Sequence, residues 1–322
     1  MALPLELIDN VCLHLPTPDL LAVAAASSLL CSVAQRLLYR EVTVTRGKLA
    51  VALTLAKKPR LARHVRVFTV VVDPAANVLP AYYRALSTAI SHMRELNSLS
   101  ITVPANHSSI LPSDSRLSFP RLRVLQASFT LDPHVVRFLA KAPGLVALTL
   151  DHGLDLPCSE IPPTSIPRLA SFSGSSQAAQ VLVPGRPVTS IFLSSGDLTE
   201  DVVSALSMSS AAVSTLDATT TSLPLPILES LAVAMPQLEN IRLTTTYNLW
   251  DEFFNTPFIQ NIKYALMAMD CLKSANVSGM LWKWLTKDGR VLTNEPHIPS
   301  LTLDDDHDVE WAHENNNSYY HH

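Results

Sequence analysis

The residues best able to do chemistry are thinly spread along this chain. Eleven histidines and four cysteines could ligate metal or act as nucleophiles, yet Cys12, Cys31, Cys158 and Cys271 form no Cys-x-x-Cys pair. Neither a zinc site of known spacing nor a disulfide framework is signalled. There is no His-Glu-x-x-His, no Gly-x-Ser-x-Gly and no cysteine in a recognisable nucleophile setting. The run Asp304-Asp305-Asp306-His307-Asp308 would need glycine at its sixth position and glutamate at its twelfth to hold calcium, and Val309 and Asn315 stand there. Loops that cradle phosphate need glycines roughly two to five residues apart. The closest pair among the eight glycines, Gly144 and Gly153, is nine apart. No catalytic residue, cofactor or metal is expected. One basic cluster, Lys57 to Arg66, could meet an acidic partner or nucleic acid. It leads into a strand-like run, Val65 to Val72, and reads more simply as a solvated turn, so nucleic acid is disfavoured.

If the chain does no chemistry of its own, its elements must present surfaces. Near the start, apolar residues at 4, 7, 8, 11 and 15 recur with the spacing of an amphipathic helix, with Pro4 in its first turn. Pro16-Thr17-Pro18-Asp19 breaks it and opens a second helix, for which Thr17 is the expected cap. Leu20 to Arg40 reads as a helix pair bent near Ser27-Ser28. Three short helices in about forty residues bury little, and being apolar nearly all round they are expected to face another protein.

These residues resemble a known family. Leu3-Pro4-x-Glu6-Leu7-Ile8, Val11, Leu15, Asp19-Leu20-Leu21, Val23, Ser27, Val33, Leu37 and Tyr39-Arg40 are similar to the F-box, the three-helix motif that docks on the Skp adaptor of cullin-based ubiquitin ligases. Gln35-Arg36-Leu37-Leu38-Tyr39-Arg40 is similar to the ending of many fungal F-boxes, whereas Leu29 to Ala34 lacks the basic residue and Trp common near the third helix. The resemblance implies that Leu3, Pro4, Leu7, Ile8, Leu15, Leu20 and Leu21 face the adaptor, some of them doubling as the motif's own core.

Beyond residue 60 a short phrase returns: Leu96-Asn-Ser-Leu-Ser-Ile, Leu122-Arg-Val-Leu-Gln-Ala, Leu145-Val-Ala-Leu-Thr-Leu, and so on through Leu238-Glu-Asn-Ile-Arg-Leu. The central apolar residues fall at 99, 125, 148, 172, 191, 216, 241 and 301. All steps but the last lie in or near the 20–29 period of a leucine-rich repeat. Between phrases, Leu79 to Leu96, Asp132 to Ala142, Thr199 to Ser209 and Pro226 to Met235 read as helices, Asp132 capping and Pro133 opening the second. The similarity is to degenerate leucine-rich repeats. Their buried closing Asn is missing, so the turns must be satisfied otherwise. The last step, 60 residues over Thr244 to Ile298, holds Trp250, Phe253, Phe254, Phe258, Tyr264, Trp282 and Trp284. It accommodates eroded repeats or an inserted aromatic patch; the aromatics read as core or cap.

Composition agrees. The chain is 322 residues long and 48% hydrophobic against 16% charged, where about 25% charged is usual, so a large core is available. Proline, at 23 residues, punctuates many short elements. The net charge of −4 hides a basic head, nine Lys/Arg against four Asp/Glu in residues 1–72, and an acidic tail, seven acids and no Lys/Arg in 293–322. The uncharged run Leu20 to Gln35 is 16 residues with three serines, shorter than the roughly 20 a membrane span needs. The opening residues do not read as a secretory signal. A cytoplasmic or nuclear setting is expected.

The expected fold is α/β: an N-terminal three-helix F-box (1–45), an irregular leucine-rich-repeat-like solenoid (46–310) and a disordered tail (311–322). The resemblance implies a bridge between the Skp adaptor with its cullin scaffold and an unknown target protein, the competing reading being a repeat scaffold outside any ligase. Positions on the open side of the strands, Gln126, Asp151, Phe192, Asp217, Arg242 and Thr302, are the candidates for target contact.

Overall fold

The computed structural model describes residues 5–73, 79–150, 161–162, 164–246, 256–284 and 292–296. Among them, alternating residues build strands that lie in one open sheet in chain order. The strands are β1 (Glu41–Val44), β2 (Val67–Val71), β3 (Ser98–Thr102), β4 (Val124–Ala127), β5 (Ala147–Leu150), β6 (Ser171–Ser175), β7 (Ser190–Ser195), β8 (Thr215–Thr220), β9 (Asn240–Thr245), β10 (Ser274–Val277), β11 (Met280–Trp284) and β12 (Leu292–Pro296). From β1 to β10 every pairing is parallel, and β11 and β12 add on antiparallel. The reversal has a local cause. Ser278 and Gly279 both adopt positive φ, 50° and 89°, which suits a two-residue hairpin, and the Asn276 side chain accepts the Gly279 N–H at 3.0 Å.

Three helices precede the sheet: α1 (Leu5–Leu13), α2 (Thr17–Ala26) and α3 (Ser28–Leu38). Crossovers supply α4 (Leu49–Lys57), α5 (Pro59–Ala62), α6 (Pro80–His92), α7 (Pro133–Leu139), α8 (Ser176–Leu182), α9 (Glu200–Ser207), α10 (Pro224–Ala234) and α11 (Thr256–Met267). Asp132 caps α7, accepting from His134 and Val135 at 2.8 Å, as the spacing predicts. Ser27 caps α3 at the expected bend. Thr17 does not cap α2; it is the first helical residue after Pro16.

The core runs along the sheet in register, its first row being Val42, Phe68, Leu99, Leu125, Leu148, Phe172, Ile191, Leu216, Ile241 and Ala275. All are buried. Seven are the predicted central residues. The 60-residue step is resolved at Ala275, where α11 and β10 form one further unit; residue 301 lies outside the described residues. Of the aromatics there, Trp282 is buried and Phe258 packs on the core, while Tyr264 is exposed. Trp250, Phe253 and Phe254 lie outside the described residues, as does the tail.

Hydroxyls and one carboxylate tie neighbouring turns together just beyond the strands. Ser128 Oγ accepts the Val103 N–H at 2.8 Å, Asp197 receives the Thr221 N–H at 2.7 Å and its hydroxyl at 2.6 Å, and Ser278 Oγ accepts from Thr245 at 2.9 Å. The shortest step, 172 to 191, has a different device. Arg186, 1% exposed, donates from its guanidinium to the carbonyls of Ser165, Val181, Leu182, Pro184, Ile161 and Pro162 at 2.9–3.4 Å. Val181 and Leu182 end α8, where carbonyls carry the partial negative charge of the helix dipole.

Among the described residues no helix is long and apolar enough to cross a membrane.

Candidate functional site

Parallel sheets ordinarily have both faces covered. Here the buried row faces the crossover helices, and the alternate residues form a second row on the opposite face: Thr43, Thr69, Ser100, Gln126, Thr149, Ser173, Phe192, Asp217, Arg242 and Asn276, in direct register. None of these ten is buried. The first six are hydroxyl or amide side chains; the character changes at β7. Phe192, Asp217 and Arg242 stand on consecutive strands, about 5 Å apart by sheet spacing. With Ser194, Thr219 and Thr244 they line an open cavity of about 300 Å³. Arg242 Nη1 lies 3.8 Å from Asp217 Oδ2. Partial burial pushes the Asp217 carboxyl above the usual carboxylate range, and the Arg242 guanidinium acts against that shift. An aromatic ring beside a loosely held ion pair suits a peptide that brings an apolar side chain and a hydrogen-bonding group.

Four of the predicted target-facing positions, Gln126, Phe192, Asp217 and Arg242, thus occupy one row. Asp151 and Thr302 lie outside the described residues. The row position on β5 is Thr149, two residues before Asp151.

The predicted adaptor-facing residues separate by burial. A small cluster of Cys12, Leu20 and Val33, with Ile8, Leu15, Val23, Leu37 and Leu38 against it, forms a core private to α1–α3. Leu20 is buried there, so its side chain serves the helices' own packing. Ile8 and Leu15 are half-buried at its margin. Leu7 and Leu21 face solvent, and so do Val11, Leu13 and Leu29, each of the five between 46% and 63% exposed. That is too much apolar surface to be explained by the unit's own core. Val11 could have been found from sequence, since it lies one helical turn after Leu7. Leu3 and Pro4 lie outside the described residues. Directly after the helices, Glu41–Val44 pairs with β2.

A second cavity of about 310 Å³ opens where the chain enters the strands, lined by Arg66, Asn97, Pro120, Arg121, Arg123, Gly144 and Arg168. Sequence reading noted only Arg66, as the end of the basic cluster. The signal was the repeat itself: Arg66 and Arg123 stand two residues before central residues Phe68 and Leu125, and Arg121 and Arg168 four before Leu125 and Phe172. Among the described residues, no group of three or more His, Cys, Asp or Glu is placed to hold a metal.

Compared with known proteins, the chain matches no protein-family model and no curated protein.

Proposed function

We propose that the chain is a substrate-recognition adaptor of a Skp-cullin-F-box ubiquitin ligase, α1–α3 docking on the Skp adaptor and the sheet holding a target protein. The observation that carries this reading is the helical unit with its own small core and five exposed large apolar side chains, Leu7, Val11, Leu13, Leu21 and Leu29. Such a surface invites burial against a partner worth roughly 25 cal/mol per Å² of apolar area. The F-box resemblance supplies the partner's identity. The strand-and-crossover unit, whose central residues recur at leucine-rich-repeat spacing, supplies the second surface, and Phe192, Asp217 and Arg242 are its most differentiated part. No residue of the chain need act on the transferred group: a target held beside a charged enzyme reacts through its raised effective concentration.

The test is binding of the purified chain to a Skp adaptor, against a Leu7→Asp, Leu21→Asp double variant. Both positions are exposed, so the small core survives, which circular dichroism checks. Binding by the parent and at least a tenfold loss in the variant are expected. A parent that does not bind refutes the ligase reading and leaves a repeat scaffold; a variant that binds like the parent refutes the assigned surface.

A further inference from the structure

The arginine-lined cleft lies on a different edge of the molecule from the Phe192, Asp217 and Arg242 surface. Its residues come from the approaches to five successive strands, β2 to β6. Backbone hydrogen bonds tie the row together just before the strands: Asn97 N–H donates to Arg66 O at 2.7 Å, Arg123 N–H to Asn97 O at 2.8 Å and Val146 N–H to Arg123 O at 2.8 Å. Arg66 and Arg123 are therefore held two strands apart, about 10 Å. Arg121 and Arg168 stand two residues further out on β4's and β6's approaches, again two strands apart. The floor is Pro120 and Gly144, backbone packed so closely that a Cβ on Gly144 would come 2.4 Å from Pro120 O. All four arginines are exposed. Arg121 pairs with Glu95. Among the described residues no carboxylate pairs with Arg66, Arg123 or Arg168.

Guanidinia on a rigid frame are matched by carboxylates, which they bind through paired N–H groups. Among the described residues no aromatic ring lines the cleft, so the stacking platform that single-stranded nucleic acid needs is missing. An extended peptide advances about 3.1 Å per residue in the polyproline conformation, which returns every third side chain to one face. Carboxylates three residues apart would thus recur at about 9–10 Å, the arginine spacing.

We propose that this cleft binds an extended acidic segment of a partner protein, with Asp or Glu at every third position. The proposal stands without the ligase reading, because it concerns the sheet's rim and is tested with purified chain alone.

The experiment is fluorescence anisotropy of the full chain with a labelled twelve-residue peptide carrying Glu at every third position in a Pro/Ser background, and with its Gln counterpart. Binding of the Glu peptide that weakens with added salt, at least tenfold weaker binding of the Gln peptide, and a tenfold or greater loss in an Arg66→Gln, Arg123→Gln variant of unchanged circular dichroism are expected. Equal binding of the two peptides, or an unaffected variant, overturns the proposal. So does tighter binding of an oligothymidylate of the same charge. A parent that binds neither peptide, while the Asp304→Asn, Asp305→Asn, Asp306→Asn, Asp308→Asn variant gains the Glu peptide, assigns the cleft to the chain's own acidic tail and overturns it as well.

Discussion

Replacing Arg186 by Met keeps most of the side-chain length and removes every donor. Six carbonyls accept from this guanidinium in the parent. Those of Ile161 and Leu182 belong to buried residues, whereas Pro162 and Ser165 are at or near the surface and can turn to water. Each buried carbonyl left without a donor costs about 1–3 kcal/mol. Against that stands relief of the guanidinium's own desolvation, which lowers its pKa and among the described residues is offset by carbonyl dipoles alone. The balance is a loss of about 2–4 kcal/mol. Arg186→Lys should fall between parent and Met, since an ammonium offers three donors and lacks the planar fork. Urea unfolding followed by circular dichroism measures the order. Amide exchange adds a local readout, because Ser210 N–H and the Ser209 hydroxyl both donate to the Arg186 carbonyl, at 2.9 and 2.8 Å. A Met variant as stable as the parent, with Ser210 equally protected, would refute the view that this arginine closes the shortest repeat.

Three further outcomes are expected. Because burial raises the Asp217 carboxyl in the native state, the native form binds the proton more tightly than the unfolded one; its contribution to stability is present below the unfolded pKa and lost as pH rises through the native value. Arg242→Met removes the opposing charge, so a carbon-13 titration of Asp217 should move to higher pH, and an unchanged midpoint would contradict the ion pair. Tyr82 is buried, its hydroxyl finds no partner among the described residues and its pKa is pushed up to about 12, first by burial and then by Tyr83; Tyr82→Phe should stabilise the chain by about 1 kcal/mol in thermal unfolding. Gly144→Ala should destabilise by about 1–3 kcal/mol, since the new methyl meets the Pro120 carbonyl and backbone cannot swing aside; a neutral result would show that the floor of the arginine cleft yields.

The strand rows were legible because each buried position demands a large apolar residue on every turn of the chain, so Leu99 through Ile241 announce themselves by spacing alone. The row failed at β10, where Ala275 replaces the expected Leu and Trp282 from the antiparallel neighbour pairs opposite it. Volume there comes from another strand, which a phrase search cannot see. The open-face row was legible by alternation, and Phe192, Asp217 and Arg242 followed from their neighbours. The arginine cleft was not, because its four members are separated by up to 55 residues in two offsets from the central positions. Arg186 was invisible for a different reason: its partners are main-chain carbonyls, which every residue carries. At the N-terminus amphipathic spacing found the helices but could not say which apolar residues turn inward, since in so small a unit Leu20 and Leu21 are adjacent and opposite in fate.

The join between the helical unit and the sheet bears on the proposed adaptor role. Only Tyr39 and Arg40 separate α3 from β1. Tyr39 packs against the main core, and the Arg40 carbonyl accepts from Arg66 and Val67 at 2.8 and 3.0 Å, in the same ladder that later ties Arg66 to Asn97. Arg36 on α3 pairs with Asp9 on α1. The last helix is thus fastened at one end to its own bundle and at the other to the first turn of the sheet. A flexible linker spreads a bound target through a volume that grows with its length, lowering the effective concentration at any fixed point. Two residues anchored by packing and hydrogen bonds avoid that dilution. The same join places the first guanidinium of the cleft, Arg66, one ladder step from the helical unit, while the Phe192, Asp217 and Arg242 surface lies five to seven strands further along. A partner engaged at the rim and one engaged on the open face would therefore be held at different fixed distances from whatever the helices grip.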